Sequence, residues 1–232
     1  ETQRAVGEQL WRLRRPGGLY VAGSSGVEYA LMAEWVRSGI APGEARFEPT
    51  PAVDRIATVS GSVSPTTERQ IRHALANGFD GIALDARDMI GEDSDAALDK
   101  AVAAGLASLR EGRSVILYTA LGSSADLGAE IDKHAGARHH IGRSLGRILN
   151  RLVVEQSLKR AVIAGGDTSS HALGQLGVDA LTVRMPFPQS PGSPLCVAHS
   201  RAAGIDGLEI ALKGGQVGID AYFADIRDGL EA

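Results

Sequence analysis

The sequence predicts an α/β fold: a three-layer sandwich in which helices cover both faces of a mainly parallel sheet with one mixed edge. Three observations lead to this prediction. Short apolar segments recur along the 232 residues, helical patterns separate many of them, and hydrophobic residues make up 44% of the chain. Alternating strands and helices are typical of parallel sheets, and this composition is sufficient for a large buried core.

Apolar segments of strand length occur at regular intervals, and two helical stripes lie between them. The predicted strands are 18–22, 56–60, 81–85, 114–118, 161–164, 180–184, 194–198 and 208–212. The stripes are Leu98, Val102, Leu106 and Leu109, and then Leu145, Ile148, Leu149, Leu152 and Val153. The last two strands follow each other without a helix, which leaves that edge antiparallel or mixed.

Glycine and proline are concentrated between Ser38 and Pro51. Such a composition is typical of linkers. The chain is therefore divided into a small N-terminal part, residues 1–38, a linker, residues 39–54, and a larger domain, residues 55–232.

Three turns in the larger domain are suited to binding an anion. In the first, a strand runs into Gly61, and Ser64 is predicted to cap a helix that begins at Pro65. The second turn, in the range 161–170, places two glycines between a strand and hydroxyl residues that open a helix. The third, in the range 208–218, ends a strand in a lysine and three glycines. Bare backbone and helix N-termini present amide N–H groups to phosphate, so three such turns suggest a nucleotide site.

The motifs in these turns resemble those of the four-carbon acid sugar kinases. They are Gly61-Ser62-Val63-Ser64 with Thr66 and Gln70, then Gly165-Gly166-Asp167-Thr168-Ser169, and then Lys213-Gly214-Gly215-Gln216-Val217-Gly218. The resemblance covers most of residues 56–232 and implies ATP-dependent phosphorylation of a small sugar acid such as threonate, erythronate or 3-oxo-tetronate. The ATP contacts that it implies are Ser62, Gly165, Gly166, Asp167, Thr168 and Gly215.

The front of the chain departs from the family pattern. Members usually open with an acidic Asp-Asp-x-Thr-Gly segment that contributes to the sugar-acid site, and no such segment occurs near Glu1. Residues 18–38 instead resemble the last strand and helix of the family's substrate domain. We therefore expect residues 1–38 to be the end of that domain and its N-terminal part to be a missing partner. The general base is not identified.

Some side chains in and near the motifs have two interpretations. Asp167 holds a Mg²⁺ ion that bridges ATP phosphates, or it caps the following helix. A Lys213 that ends a strand is more often a solvated flank than a phosphate ligand. At Gly166 a Cβ is expected to collide with phosphate or to require an unfavourable backbone angle, so Gly166→Val should abolish nucleotide binding. A metal site at the adjacent His139 and His140 is disfavoured, because their side chains point about 100° apart on a helix.

Composition and missing motifs exclude several classes of protein. A net charge of −4 with dispersed charges argues against nucleic acid, and no apolar run is long enough to span a membrane. One cysteine, Cys196, fits a reducing cytoplasm. P-loop and dinucleotide fingerprints are missing. The remaining functional alternatives are a phosphosugar-binding isomerase or aldolase-like enzyme and a non-catalytic nucleotide-binding module. The sequence is also compatible with a homo-oligomer.

Overall fold

The computed structural model describes residues 2–14, 16, 18, 20–43, 45–91, 94–123, 127–131, 133, 134 and 136–230. The chain divides into two compact units between Arg46 and Phe47. This boundary lies within the range 39–54 that the sequence assigns to a linker. None of the helices in the described ranges is long and apolar enough to cross a membrane.

The first unit contains two helices, α1 (Thr2–Arg12) and α2 (Ser25–Arg37). Trp11 and Trp35 pack edge to face, with ring centroids 5.8 Å apart. Ser24 caps α2 by accepting a hydrogen bond from the backbone of Gly26. The strand predicted at 18–22 is wrong for its described residues, which have no regular structure. Among the described residues of this unit no second strand is available to pair with it, and an isolated strand leaves its backbone groups unsatisfied.

The second unit is an α/β sandwich, as predicted. Its strands are β1 (Ala57–Ser60), β2 (Phe79–Ala83), β3 (Ser114–Tyr118), β4 (Arg160–Ala164), β5 (Val178–Met185), β6 (Leu195–Ser200) and β7 (Glu209–Lys213). Its helices are α3 (Pro65–Ala76), α4 (Ser94–Arg110), α5 (Gly128–Ile131), α6 (Ala137–Gln156), α7 (Gly166–Leu176) and α8 (Tyr222–Asp228).

One seven-stranded sheet runs through this unit, in the order β2-β3-β1-β4-β7-β6-β5. The first five strands in that order are parallel, whereas β6 is antiparallel to both β7 and β5. The predicted mixed edge is therefore confirmed. The carboxyl ends of β1, β4 and β7 lie side by side, so the three glycine turns emerge at the same edge of the sheet.

Alternate residues of the central strands face opposite helical layers. Val59 and Ile163 pack with α4, α6 and α7, whereas Ile116 and Val162 pack with α3 and α8. The predicted helical stripes lie in α4 and α6 and are buried. Burial on both sheet faces explains why these strands read as continuous apolar runs rather than as alternating patterns.

The two ends of the second unit meet. Thr50 and Leu230 exchange backbone hydrogen bonds of 2.9 and 3.0 Å, and the amide of Val53 donates to the carbonyl of Arg227 at 2.9 Å. Phe47 and Val53 also pack against the apolar cluster that contains α3 and α8. Residues 47–53 are thus part of this unit.

Candidate functional site

Three loops follow the adjacent strands β1, β4 and β7. We call residues 61–64 the first loop, residues 165–168 the second loop, and residues 213–218 the third loop. The helices that follow β1 and β4 lie on opposite faces of the sheet, which makes the gap between these strands a topological switch point. Open α/β sheets bind ligands at this position, beyond the carboxyl ends of the strands.

The first and second loops approach each other closely at two glycines, Gly61 and Gly165. A Cβ built on Gly61 would lie 2.3 Å from Thr168 Oγ1. Gly165 has a φ of +120°, and a Cβ there would lie 2.9 Å from the same oxygen and 3.6 Å from the amide nitrogen of Ser62. Since L residues rarely adopt this φ, glycine is required at position 165 by conformation and at position 61 by space.

The first and third loops are joined by hydroxyl groups. Ser62 Oγ lies 3.0 Å from Thr67 Oγ1, and Thr67 Oγ1 donates to the carbonyl of Gly215 at 2.8 Å. Because the Thr67 proton is used on that carbonyl, the Ser62 hydroxyl donates to Thr67. The Ser62 oxygen also accepts from the amide of Ser64 at 3.3 Å. Ser62 therefore holds the two loops together, and a Cβ on Gly215 would approach its oxygen to 2.8 Å.

Lys213 lies inside the site rather than at its solvated edge. The residue is 1% exposed, so the expectation of a solvated flank is wrong. The ammonium donates to Thr67 Oγ1 at 3.0 Å, to the carbonyl of Gly214 at 2.7 Å and to that of Gly215 at 3.3 Å. Burial away from water lowers the pKa of Lys213 to about 8.

Backbone amides at this edge are left without acceptors. Within the described ranges, no hydrogen-bond acceptor serves the amides of Val63 in the first loop, of 166–168 in the second, or of Gly215 and Gln216 in the third. Those of 166–168 begin α7, where the helix geometry leaves N–H groups unpaired. Together with the helix dipole, such groups favour an anion.

Asp167 and Thr168 face a cavity of about 80 Å³ beside the first loop, which Thr119 and Arg138 also line. Asp167 is exposed and lies in the first turn of α7, whose N-cap is Gly165. Its carboxylate next to open amides has the hard oxygen chemistry that Mg²⁺ prefers.

Gly166 differs from the expectation for its backbone. Its φ lies outside the left-handed region, and a Cβ built on it has no neighbour within 4 Å. The glycine of the second loop whose φ disfavours other residues is Gly165. Only a ligand lying against Gly166 would make a larger side chain unfavourable there.

A second tier of polar residues supports the third loop, and its role was not predicted. The side-chain amide of Gln70 donates to the carbonyls of Val217 and Ile219, both at 3.0 Å. Gly218 has a φ of +92°, and a Cβ there would lie 2.4 Å from Ser190 Oγ. Thr67 was also missed as a site residue, although its place in the first turn of α3, directly after the glycine turn, could have indicated it.

His139 and His171 lie away from the three loops and form a pair between α6 and α7. His139 Nδ1 of α6 lies 3.0 Å from His171 Nδ1 of α7. Burial and the neighbouring His171 lower the pKa of His139. No group of three or more potential metal ligands occurs in the described part of the chain.

Residues 57–223 match a family model whose description is nucleotide-binding C-terminal domain. The chain belongs to this family. The match spans β1 to the beginning of α8 and includes all three loops, so the fold and the loops together constitute a nucleotide-binding domain.

Relatives with curated names are sugar acid kinases, which confirms the resemblance. The chain is 38% identical to a 3-oxo-isoapionate kinase of Paraburkholderia graminis over 99% of its own length and 50% of the relative's. It is 29% identical to a 3-oxo-tetronate kinase of Pectobacterium atrosepticum, over 88% of this chain and 47% of that protein. The chain thus spans about half the length of these relatives.

Solved structures show the same fold. A Haemophilus influenzae protein superposes with a TM-score of 0.63 at 24% identity and covers 86% of this chain and 45% of its own. A Bordetella bronchiseptica domain, solved as a domain-swapped dimer with bound citrate, superposes with a TM-score of 0.58 at 18% identity. That match covers 99% of this chain and 51% of the other.

Proposed function

We propose that this domain is the ATP-binding portion of a kinase that phosphorylates a four-carbon sugar acid such as threonate, erythronate or 3-oxo-tetronate. The observation that carries the proposal is the convergence of three glycine loops, with unpaired amides, at the switch point of the sheet. The kinase names of the curated relatives support the reaction class, and 3-oxo-isoapionate joins the candidate acids on the same basis.

Phosphoryl transfer depends mainly on positioning and on neutralisation of charge. The amides of Gly166, Asp167, Thr168 and Gly215 would bind phosphate oxygens, and the hydroxyl of Thr168, a residue that lines the cavity, would add another donor. The Ser62 hydroxyl would act by fixing the first loop against the third. Asp167 would hold Mg²⁺, which supplies positive charge to the phosphates when bound.

The acceptor would come from outside the second unit. We propose that a substrate domain of the same protein grips the sugar acid and that residues 1–38 are its end, joined to the second unit through the part of the expected linker that precedes Phe47. A cytoplasmic location is proposed because the one cysteine, Cys196, is free and buried, as in proteins of reducing compartments.

Ligand-dependent stability tests nucleotide binding directly. Unfolding of the chain is measured with Mg²⁺ and ATP, ADP, GTP or a sugar phosphate. A ligand that binds only the folded state at about 100 times its Kd should add about 2.7 kcal/mol to the free energy of unfolding. We expect the adenine nucleotides to stabilise the chain most. Greater stabilisation by a sugar phosphate would favour a phosphosugar enzyme and contradict the proposal.

Turnover then separates a kinase from a module that only binds nucleotide. ADP release is measured with threonate, erythronate, 3-oxo-tetronate and 3-oxo-isoapionate, with and without an added substrate domain from a relative. The chain alone should be inactive, because transfer requires the acceptor hydroxyl at roughly 3 to 3.5 Å from the phosphorus and exclusion of water. Sugar-acid-dependent turnover by the chain alone would show that the acceptor site has been misplaced.

A further inference from the structure

Lys213 is a buried cation without an acidic partner in the described part of the chain. Its three hydrogen bonds go to one hydroxyl and two carbonyls. An ammonium has three protons, so these bonds use its whole donor capacity. Because Lys213 is 1% exposed and has no proton left to donate, it cannot be a direct phosphate ligand while this arrangement holds.

The same bonds determine which way the third loop presents its backbone. In a trans peptide the carbonyl and the following N–H point in opposite directions. When the ammonium draws the carbonyl of Gly214 inward, the amide of Gly215 turns outward. The carbonyl of Gly215 and the amide of Gln216 are related in the same way. These two amides are among those left without acceptors.

We propose that Lys213 is a positioning residue that holds the Gly214 and Gly215 carbonyls inward so that the Gly215 and Gln216 amides face the nucleotide phosphates. Thr67 extends this arrangement to the first loop, because its hydroxyl accepts from Lys213 and donates to Gly215. The inference rests on the proposed binding of a nucleotide. In this role Lys213 acts on the backbone of the third loop and does not itself contact a phosphate.

The charge of Lys213 adds a second contribution. On α3, Glu68 pairs with Arg72, and Arg69 pairs with Asp220. Asp167 of the second loop is not among the groups that bond Lys213 in the described part of the chain. The groups that contact Lys213 are neutral. An anion bound above the loop would compensate its positive charge, and the lowered pKa of Lys213 reflects the cost of burial in the free protein.

Hydrogen exchange of the ligand-free chain tests the positioning role without any nucleotide. Lys213→Met keeps the apolar stem of the side chain and removes the ammonium. We expect faster exchange at the 213–218 backbone, by about tenfold or more, since fixing the loop depends on these bonds. The matched control is Lys159→Met, an exposed lysine that directly precedes β4. Equal exchange in both variants would overturn the proposal.

Titration calorimetry with Mg²⁺ and ADP tests the consequence for binding. At pH 7 we expect Lys213→Met to weaken binding about 10- to 100-fold, the effect of misplacing one or two charge-assisted hydrogen bonds. In the unsubstituted chain, affinity should fall by up to about tenfold per pH unit above about pH 8, as Lys213 loses its proton. A pH profile that is unchanged in the Met variant would contradict the proposal.

Thr67→Val provides an independent variant should Lys213→Met not fold. It removes the hydroxyl between the lysine and the first loop and should speed exchange in both 61–64 and 213–218. Lys213→Arg should restore part of the protection and part of the affinity, because it keeps the charge. If the unsubstituted chain bound no nucleotide, the proposed function would fail. The exchange result would still decide whether Lys213 fixes the loop.

Discussion

Strands β4 and β7 pair in register and bury a cation at each end. At the amino end, Arg160 lies opposite Glu209, and at the carboxyl end, Ala164 lies opposite Lys213. Arg160 donates to Glu209 Oε2 at 2.7 Å and to the carbonyls of Ile226 at 2.6 Å and Pro51 at 3.0 Å. Lys213 has hydroxyl and carbonyl acceptors and, among the described residues, no carboxylate.

The difference separates a structural end of the sheet from a ligand-binding end. The charge of Arg160 is neutralised within the fold, and the arginine ties Pro51 and Ile226 to the sheet. The charge of Lys213 is left for something outside the fold to neutralise. Both cations are 1% exposed, so burial alone does not distinguish them. What distinguishes the two cations is whether a carboxylate is among the groups that they contact.

The largest expected effect is at the neutralised end. Arg160→Met leaves Glu209 with only the more distant Arg184, at 3.6 Å, and leaves two carbonyls without their donor. Removing one partner of a buried pair typically costs about 3–5 kcal/mol. Urea unfolding should show this loss, whereas the control Lys159→Met should change stability by less than about 0.5 kcal/mol. A loss below about 1 kcal/mol would mean that Arg160 is not structural.

A smaller effect is expected at the carboxyl end of the two strands, where neutralising the buried cation should stabilise the fold rather than destabilise it. The pKa of Lys213 is about 8 in the folded chain and 10.5 without burial. Between these values the unfolded state binds more protons, so folding gains stability as the pH rises. Below pH 8 the full cost of burying the charge is present.

The measurement is the free energy of unfolding, without ligand, at pH 7.5 and 9.5. Relative to Lys213→Met, the unsubstituted chain should gain about 2 kcal/mol over this interval, because 1.36 kcal/mol corresponds to one pKa unit. Parallel pH profiles in the two proteins would show that Lys213 is not the titrating group.

The smallest effect compares two adjacent glycines at the carboxyl end of β4. Gly165→Ala imposes a Cβ at a φ of +120° and near Thr168, which should cost about 1–2 kcal/mol. Gly166→Ala should be neutral or slightly stabilising, because alanine favours the helix that begins there. Thermal unfolding of both variants decides the comparison. Equal losses would mean that the second loop is not shaped by Gly165.

Much of the fold follows from the sequence because its strands are buried on both faces. β1, β3 and β4 appear as apolar runs, and Ser64 and Pro65 mark the start of α3, where the structure confirms the cap. The strand expected at 18–22 could not be excluded locally, since the described residues of that range lack regular structure for want of a partner strand among the described residues of the first unit. Pairing is a property of the tertiary structure.

The site was less predictable than the fold. Glycine motifs located the loops, but they did not reveal that Lys213 is buried, because what covers the end of a strand is supplied by distant elements. Thr67 lies 146 residues before Lys213 in the chain. The sequence does not distinguish Gly165 from Gly166. Only the backbone angle φ shows that glycine is required at position 165.

The meeting of Thr50 and Leu230 has a consequence for how this unit can be rearranged. Two backbone hydrogen bonds join Thr50 and Leu230, which lie near the two ends of the described part of the unit. A unit with adjacent ends behaves as a cassette: it can be joined to another polypeptide at that point without threading through it. It is also suited to circular permutation, with residues 47 and 230 linked and new termini opened at the exposed turn around Gly112, far from the three loops.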